Sequence, residues 1–160
     1  MLTVNLICIG KLKESYWRDA CQEYSKRLSA FCRFTICELN EIRLPDHPSQ
    51  AQIDTALQVE GEKILSVVGS GSAVFPLCIE GKQISSPQLA EKIDRLAING
   101  ISTINFVIGS SFGLSEQVKR AGEFKLSMSP MTFPHQLARV MLCEQIYRAF
   151  EINNHGKYHK

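Results

Sequence analysis

No apolar run in the 160-residue chain approaches the roughly 18 residues that a membrane-spanning helix requires. The opening stretch Met1–Ile9 is apolar, but it carries no basic leader and no small-residue cleavage site. It reads as a first strand rather than a signal peptide, and a cytoplasmic protein is expected. The six cysteines, Cys8, Cys21, Cys32, Cys37, Cys78 and Cys143, include no CxxC pair, and several fall inside apolar runs. They fit small buried residues in a reducing compartment rather than disulfides. The closest pair, Cys32 and Cys37, lacks a second ligand pair and a nearby histidine, so no metal site is expected. Charge of one sign is also scarce. A formal net charge of +2 does not by itself argue for a nucleic-acid partner, although an uneven distribution of Lys and Arg still could. There is no internal repeat, low-complexity segment or clear linker, and a single domain over residues 1–160 is expected.

Hydrophobic residues make up 44% of the chain and charged residues 21%, which is the balance of a globular domain. Their spacing alternates between strand and helix periods. Strands are predicted at Leu2–Ile9, Arg33–Leu39, Ala73–Ile79, Ile104–Ile108 and, more briefly, Phe124–Met128. Helices are predicted at Glu14–Leu28, Ile53–Val68, from Ser85-Ser86-Pro87 to Asn99-Gly100, and Pro134–Ile152. This order predicts an α/β fold with a doubly wound, mostly parallel sheet flanked by helices. The last helix carries Leu137, Val140, Met141, Ile146, Tyr147 and Phe150, an apolar surface too broad for an ordinary amphipathic helix. Contact with a second subunit and burial within one subunit both account for it.

Three segments follow apolar strands and would gather on one edge of a parallel sheet: Leu77–Gly81, Gly109–Gly113 and Met128–Phe133. Such an edge is where α/β proteins hold small ligands. Ile108-Gly109-Ser110-Ser111-Phe112-Gly113 matches neither GxGxxG nor the Walker loop. The expected pocket therefore works with backbone groups and apolar walls, in which Leu77 and Met131 could sandwich an adenine whose edge the backbone reads. Glu144 and Arg148 stand i, i+4 on the last helix, which also suits a plain helix ion pair. The tail ends in Tyr158-His159-Lys160, aromatic and basic groups that could stack on or bond a splayed-out base. His135, at the start of the helix, is expected to be structural and neutral, because a cation there would oppose the helix dipole.

Leu77-x-Ile79-x-Gly81-Lys82, Val107-Ile108-Gly109, Met131-Thr132-Phe133-Pro134-His135, Arg139-x4-Glu144-Gln145-x-Tyr147-Arg148-Ala149 and Tyr158-His159-Lys160, with Gly10-Lys11-Leu12-Lys13 near the start, span the whole chain in order. Together they resemble the small SPOUT-superfamily rRNA methyltransferases, and among these the ones that methylate N3 of a pseudouridine in 23S rRNA. The resemblance implies S-adenosylmethionine as cofactor, held at Leu77, Gly109, Met128, Ser129, Pro130, Met131, Thr132 and Phe133. It implies a C-terminal trefoil knot, a homodimer whose sites are completed by the other subunit, and 23S rRNA, in the assembled ribosome, as partner. Glu144, Arg148, Tyr158, His159 and Lys160 come next to the substrate, with Arg148 orienting a phosphate or uracil oxygen and Glu144 holding Arg148. One position departs from the family, Ser110, where a second glycine is usual. If that backbone needs positive φ, the serine costs about 1 kcal/mol or more. Two other functions stay open: a non-catalytic ribosome-binding or assembly protein of the same fold, which Ser110 would favour, and a flavodoxin-like nucleotide- or flavin-binding protein, which the pattern alone suggests.

Overall fold

The computed structural model describes residues 1–160. Its elements are β1 (Thr3–Ile9), α1 (Ser15–Leu28), β2 (Arg33–Leu39), α2 (Gln50–Val67), β3 (Ala73–Lys82), α3 (Ser86–Ile98), β4 (Thr103–Ile108), α4 (Glu116–Arg120) and α5 (His135–Asn153). The four strands form one sheet in the order β2-β1-β4-β3, and every pair is parallel. Parallel neighbours need long crossovers, and helices supply them, which is why strand and helix periods alternate along the sequence.

Both faces of the sheet are covered. Val4, Leu6, Cys8, Phe75, Ile104 and Phe106 share one core with Leu28 of α1, Ile93 of α3 and Leu142, Ile146 and Phe150 of α5. Ile7, Ile9, Val74 and Val107 point the other way, against Ile64 of α2 and Val118 of α4. Burying each such side chain stabilises the fold by about 1.5–3 kcal/mol. The register is held from within: Asn5 and Asn105 are paired across β1 and β4. Asn5 donates to Asn105 Oδ1 at 2.9 Å, and Asn105 donates to Ser72 Oγ at 2.9 Å. A one-residue slip would leave these amides without partners in the core.

Capping accounts for where helices start. Ser49 with Gln52, and Ser85 with Gln88, form reciprocal capping boxes. The first carries α2 three residues ahead of Ile53, the first apolar residue of its stripe. α4 is too short for a period to be seen in sequence; Ser115 caps it by accepting from the Val118 N–H. The short strand expected at Phe124–Met128 does not form. Only Leu126 bridges, to both Leu77 and Lys82. The cause lies in β3, which leaves β4 after Pro76, a residue with no N–H to offer a ladder, and runs on to Lys82. It bends around the later segment, with the Lys82 N–H on Lys125 O at 2.9 Å and the Ser127 N–H on Lys82 O at 3.1 Å. Gly81 permits this approach, since a Cβ there would lie 2.7 Å from the Lys125 carbonyl oxygen.

α5 is anchored by a buried cation. Arg139 is 1% exposed, and it donates through Nη1 to Glu38 Oε2 at 2.7 Å and through Nη2 to Gly10 O at 3.1 Å. The Leu12 N–H reaches the same Glu38 oxygen at 3.3 Å. The start of α5 is thereby tied to the C-terminal ends of β1 and β2. Much of the breadth of α5's apolar surface is absorbed within the subunit: Ile146 and Phe150 are buried, and Phe150 stacks on Phe31 at 6.1 Å. Leu137 and Met141 remain half-buried outside this core, while Val140 packs against it.

Removing the buried guanidinium leaves a cavity under α5 and takes the Gly10 carbonyl's partner away, while the exposed Glu38 carboxylate turns to solvent. Arg139→Ala is expected to lower unfolding free energy by about 3 kcal/mol, read as a lower urea midpoint at constant slope.

Candidate active site

The C-terminal ends of β3 and β4 and the 127–135 segment enclose a cleft of about 640 Å³. That lies within the roughly 300–1,000 Å³ of small-molecule sites. Its walls are Leu77–Glu80, Ile108–Leu114, Ser127–Ser129 and Met131–His135, closed by Lys119 and Ala138. The structure thus brings together Leu77, Gly109, Met128, Ser129, Met131, Thr132 and Phe133. Pro130 is the exception among the eight positions: it is exposed and is not part of the lining. Its neighbours explain this, because Ser129 Oγ accepts the Met131 N–H at 3.0 Å and the tight turn so formed throws Pro130 outward.

The Gly109–Gly113 wall is a closed turn. The Gly113 N–H bonds Ser110 O at 2.9 Å, and Gly113 has φ +88. Gly109 faces that turn so closely that a Cβ would lie 2.1 Å from Gly113 O. Ser110 needs no left-handed backbone, because His155 is the only non-glycine residue with positive φ. The strain considered for the serine does not arise. Its hydroxyl instead donates to Glu60 Oε1 at 3.1 Å.

Lys119 is the one lysine or arginine in the lining, and it is paired with Glu80. That hydrogen bond holds the Glu80 carboxyl below its ordinary range. A polyphosphate would find no free cation here, whereas a flat heterocycle would find apolar faces and backbone donors and acceptors. This donor set fits an adenosine-based cofactor without phosphates. His135 also lines the cleft, and burial first, then the Arg139 charge, push its pKa down.

A second cluster sits on the C-terminal half of α5. Arg148 donates to Glu144 Oε1 from Nε at 2.8 Å and lies 2.6 Å from it through Nη2. Tyr158 donates to Glu144 Oε2 at 2.9 Å, and the Arg148 guanidinium stands 4.6 Å over the Tyr158 ring. Arg148 Nη1 lies 3.3 Å from His159 Nδ1. Burial and then Glu144 push the Tyr24 phenol upward on the flank of this cluster. The tail is thus docked on α5 through residue 159, while Lys160 is exposed. From His135 to Arg148 the helix rises about 20 Å at about 1.5 Å per residue. The cleft and the tail cluster therefore stand apart within one chain.

Sequence reasoning passed over Glu60 and the Lys119–Glu80 pair. Glu60 had a signal: it stands four residues from both Ala56 and Ile64, on the core stripe of α2. Lys119 and Glu80 had none, being 39 residues apart.

Comparison with known proteins covers the whole chain. Residues 2–159 match the family described as predicted SPOUT methyltransferase. Two proteins named ribosomal RNA large subunit methyltransferase H, from Bifidobacterium animalis subsp. lactis and Clostridium novyi, are 46% and 49% identical over 159 residues, 99% of this chain and 100% of each relative. A third of that name, from Leuconostoc mesenteroides, is 44% identical over the same shares. Among solved structures, a probable methylase family protein from Haemophilus influenzae Rd KW20 is similar with a TM-score of 0.55 at 15% identity, over 98% of this chain and 70% of that one, a likeness of fold.

His135 is expected to titrate below its ordinary 6.5 in an NMR pH series. The unfolded chain takes up this proton first as pH falls, so the histidine's contribution to stability is full above about 6.5 and declines through the lower folded value. Thermal melts should show a smaller loss between pH 7.5 and 5 for His135→Gln than for the parent.

Proposed function

The chain belongs to the SPOUT methyltransferase family, and on that premise we propose that it methylates N3 of a pseudouridine in 23S rRNA, using S-adenosylmethionine, as a cytoplasmic homodimer acting on the assembled ribosome. The observation that carries the reading is the cleft: apolar, free of unpaired cations and walled by backbone at the sheet edge. It holds seven of the eight positions that the resemblance assigns to the cofactor. The relatives' names supply the RNA substrate class.

In this reading Leu77 and Met131 cover the faces of the adenine, and the backbone of Gly109, Met128, Ser129, Thr132 and Phe133 reads its edge, with Pro130 shaping the loop from outside. S-adenosylmethionine supplies an electrophilic methyl group. Transfer would release the N3 proton to solvent and leave the C–S electron pair on sulfur, so that S-adenosylhomocysteine would be the leaving group. The chain's part is alignment and charge placement. Arg148, held by Glu144 and covered by Tyr158, presents a fixed cation to a uracil oxygen or phosphate, while Tyr158, His159 and Lys160 receive the splayed-out base and its backbone.

About 20 Å of helix separates the two parts, and this supports a shared site. Two copies related by a twofold axis could set the tail cluster of one beside the cleft of the other. Leu137 and Met141, on the outward side of α5, are the proposed seam. Tyr147 and Phe150 are not, because they pack inside the subunit against Phe31. The bend of β3 around Lys125–Ser127 supports the trefoil knot.

Calorimetry is expected to show S-adenosylmethionine binding, and mass spectrometry of nuclease digests to show methylation of ribosomes in preference to naked rRNA. Deleting Tyr158–Lys160 should leave cofactor affinity within about twofold and abolish methyl transfer. Retained transfer would mean that the tail takes no part. Met141→Glu should shift the protein to monomers in sedimentation and lower transfer more than cofactor affinity. A fully active dimer would refute the seam.

A further inference from the structure

Glu60 is 3% exposed and takes part in none of the chain's ion pairs. Its oxygens are satisfied by neutral donors from two separate segments. The Ser110 hydroxyl reaches Oε1 at 3.1 Å, and the Ile42 N–H reaches Oε2 at 3.0 Å. Burial raises its pKa, and these two hydrogen bonds act against that rise. The next residue is Gly61, where a Cβ would lie 2.4 Å from Ser115 Oγ. The backbone of α2 is therefore pressed against the cap of α4, directly after the turn at residues 110–113.

Neither residue serves α2. A glycine in a helix interior and a carboxylate without a cation in the core both cost stability, and Ala-Leu would suit the stripe better. Each is accounted for by what lies opposite. Ser110 belongs to the cleft wall. Ile42 belongs to the loop whose Glu41 stands beside Gly10 and whose charge acts on His135 of the cleft lining. The carboxylate joins the two.

We infer that Glu60 is a positioning residue for the cofactor cleft, its carboxylate clamping Ser110 to Ile42 so that the backbone of residues 109–113 is held in its ligand-reading position. The identity of the ligand rests on the function proposed above; the clamp itself does not. Ser110, where the resemblance places a glycine, is what gives the carboxylate its hold on the turn.

The clamp depends on geometry, and a variant can separate that from charge. In Glu60→Gln the amide oxygen can keep the Ile42 N–H, and the amide nitrogen can donate to Ser110 Oγ, whose hydroxyl rotates freely. Glu60→Ala keeps neither bond, and Ser110→Ala loses one. Calorimetric titration with S-adenosylhomocysteine is expected to give affinity about tenfold weaker for Glu60→Ala, several-fold weaker for Ser110→Ala, and within about twofold of the parent for Glu60→Gln. The double variant should be no weaker than Glu60→Ala. Parental affinity in a folded Glu60→Ala, a Gln variant as weak as Ala, or additive losses in the double variant would each overturn the clamp. Hydrogen exchange across residues 109–115, measured without ligand, gives an independent arm: faster in both alanine variants than in the parent and Glu60→Gln if the clamp holds, unchanged if it does not. If the parent fails to bind S-adenosylhomocysteine, the cofactor assignment falls, and exchange alone decides the clamp.

Discussion

Arg139 is the interaction on which the arrangement of the C-terminal half depends. It ties α5 to Glu38 at the end of β2 and to the Gly10 carbonyl at the end of β1. An apolar residue there could bury as much surface, and a buried ion pair is not in itself a strong source of stability. Directional bonds to two strands do something burial does not: they set where α5 begins and how it is rotated. The 127–134 segment, joined to that helix, is brought against β3 and β4. One guanidinium nitrogen, Nε, is left without a partner, so the position is held at some energetic cost.

Given that placement, the cleft is made mostly by backbone. Gly81 and Gly109 each let one stretch of chain touch another where a Cβ would collide. The charged groups in the lining cancel, and Ile79, Phe112 and Met131 stand exposed at its mouth, at 60%, 46% and 74%. A site built this way discriminates by shape and by backbone hydrogen bonds rather than by charge. The tail cluster is its opposite. Its elements are charged and aromatic, centred on the Glu144–Arg148 pair with Tyr158 bonded to the carboxylate and stacked under the guanidinium.

Most of the sheet could be read from the chain alone. β2 has the predicted bounds, and Ala73 and Ile108 begin and end their strands as the apolar runs suggest. The three segments at the end of β3, after β4 and before α5 were also legible as one edge. Where the reading failed, local pattern was overruled by a distant partner. Phe124–Met128 has the composition of a strand, yet β3 bends around it and leaves Leu126 alone to pair. By its spacing Phe150 could face a second subunit or its own core, and Phe31, stacked on it, decides for the core. At Ser110 only the folded backbone shows that positive φ is not needed, and nothing nearby in sequence hints at its partner Glu60, 50 residues earlier.

The sequence by itself determined the alternation of strands and helices, the parallel sheet that follows from it, and the edge at which a ligand cleft would lie. These come from periods of two and 3.6 residues, which are local. Tertiary structure decided which backbones touch, which charges cancel and which carboxylate is buried. Each of those depends on residues tens of positions apart meeting in space, and no local period encodes such a meeting.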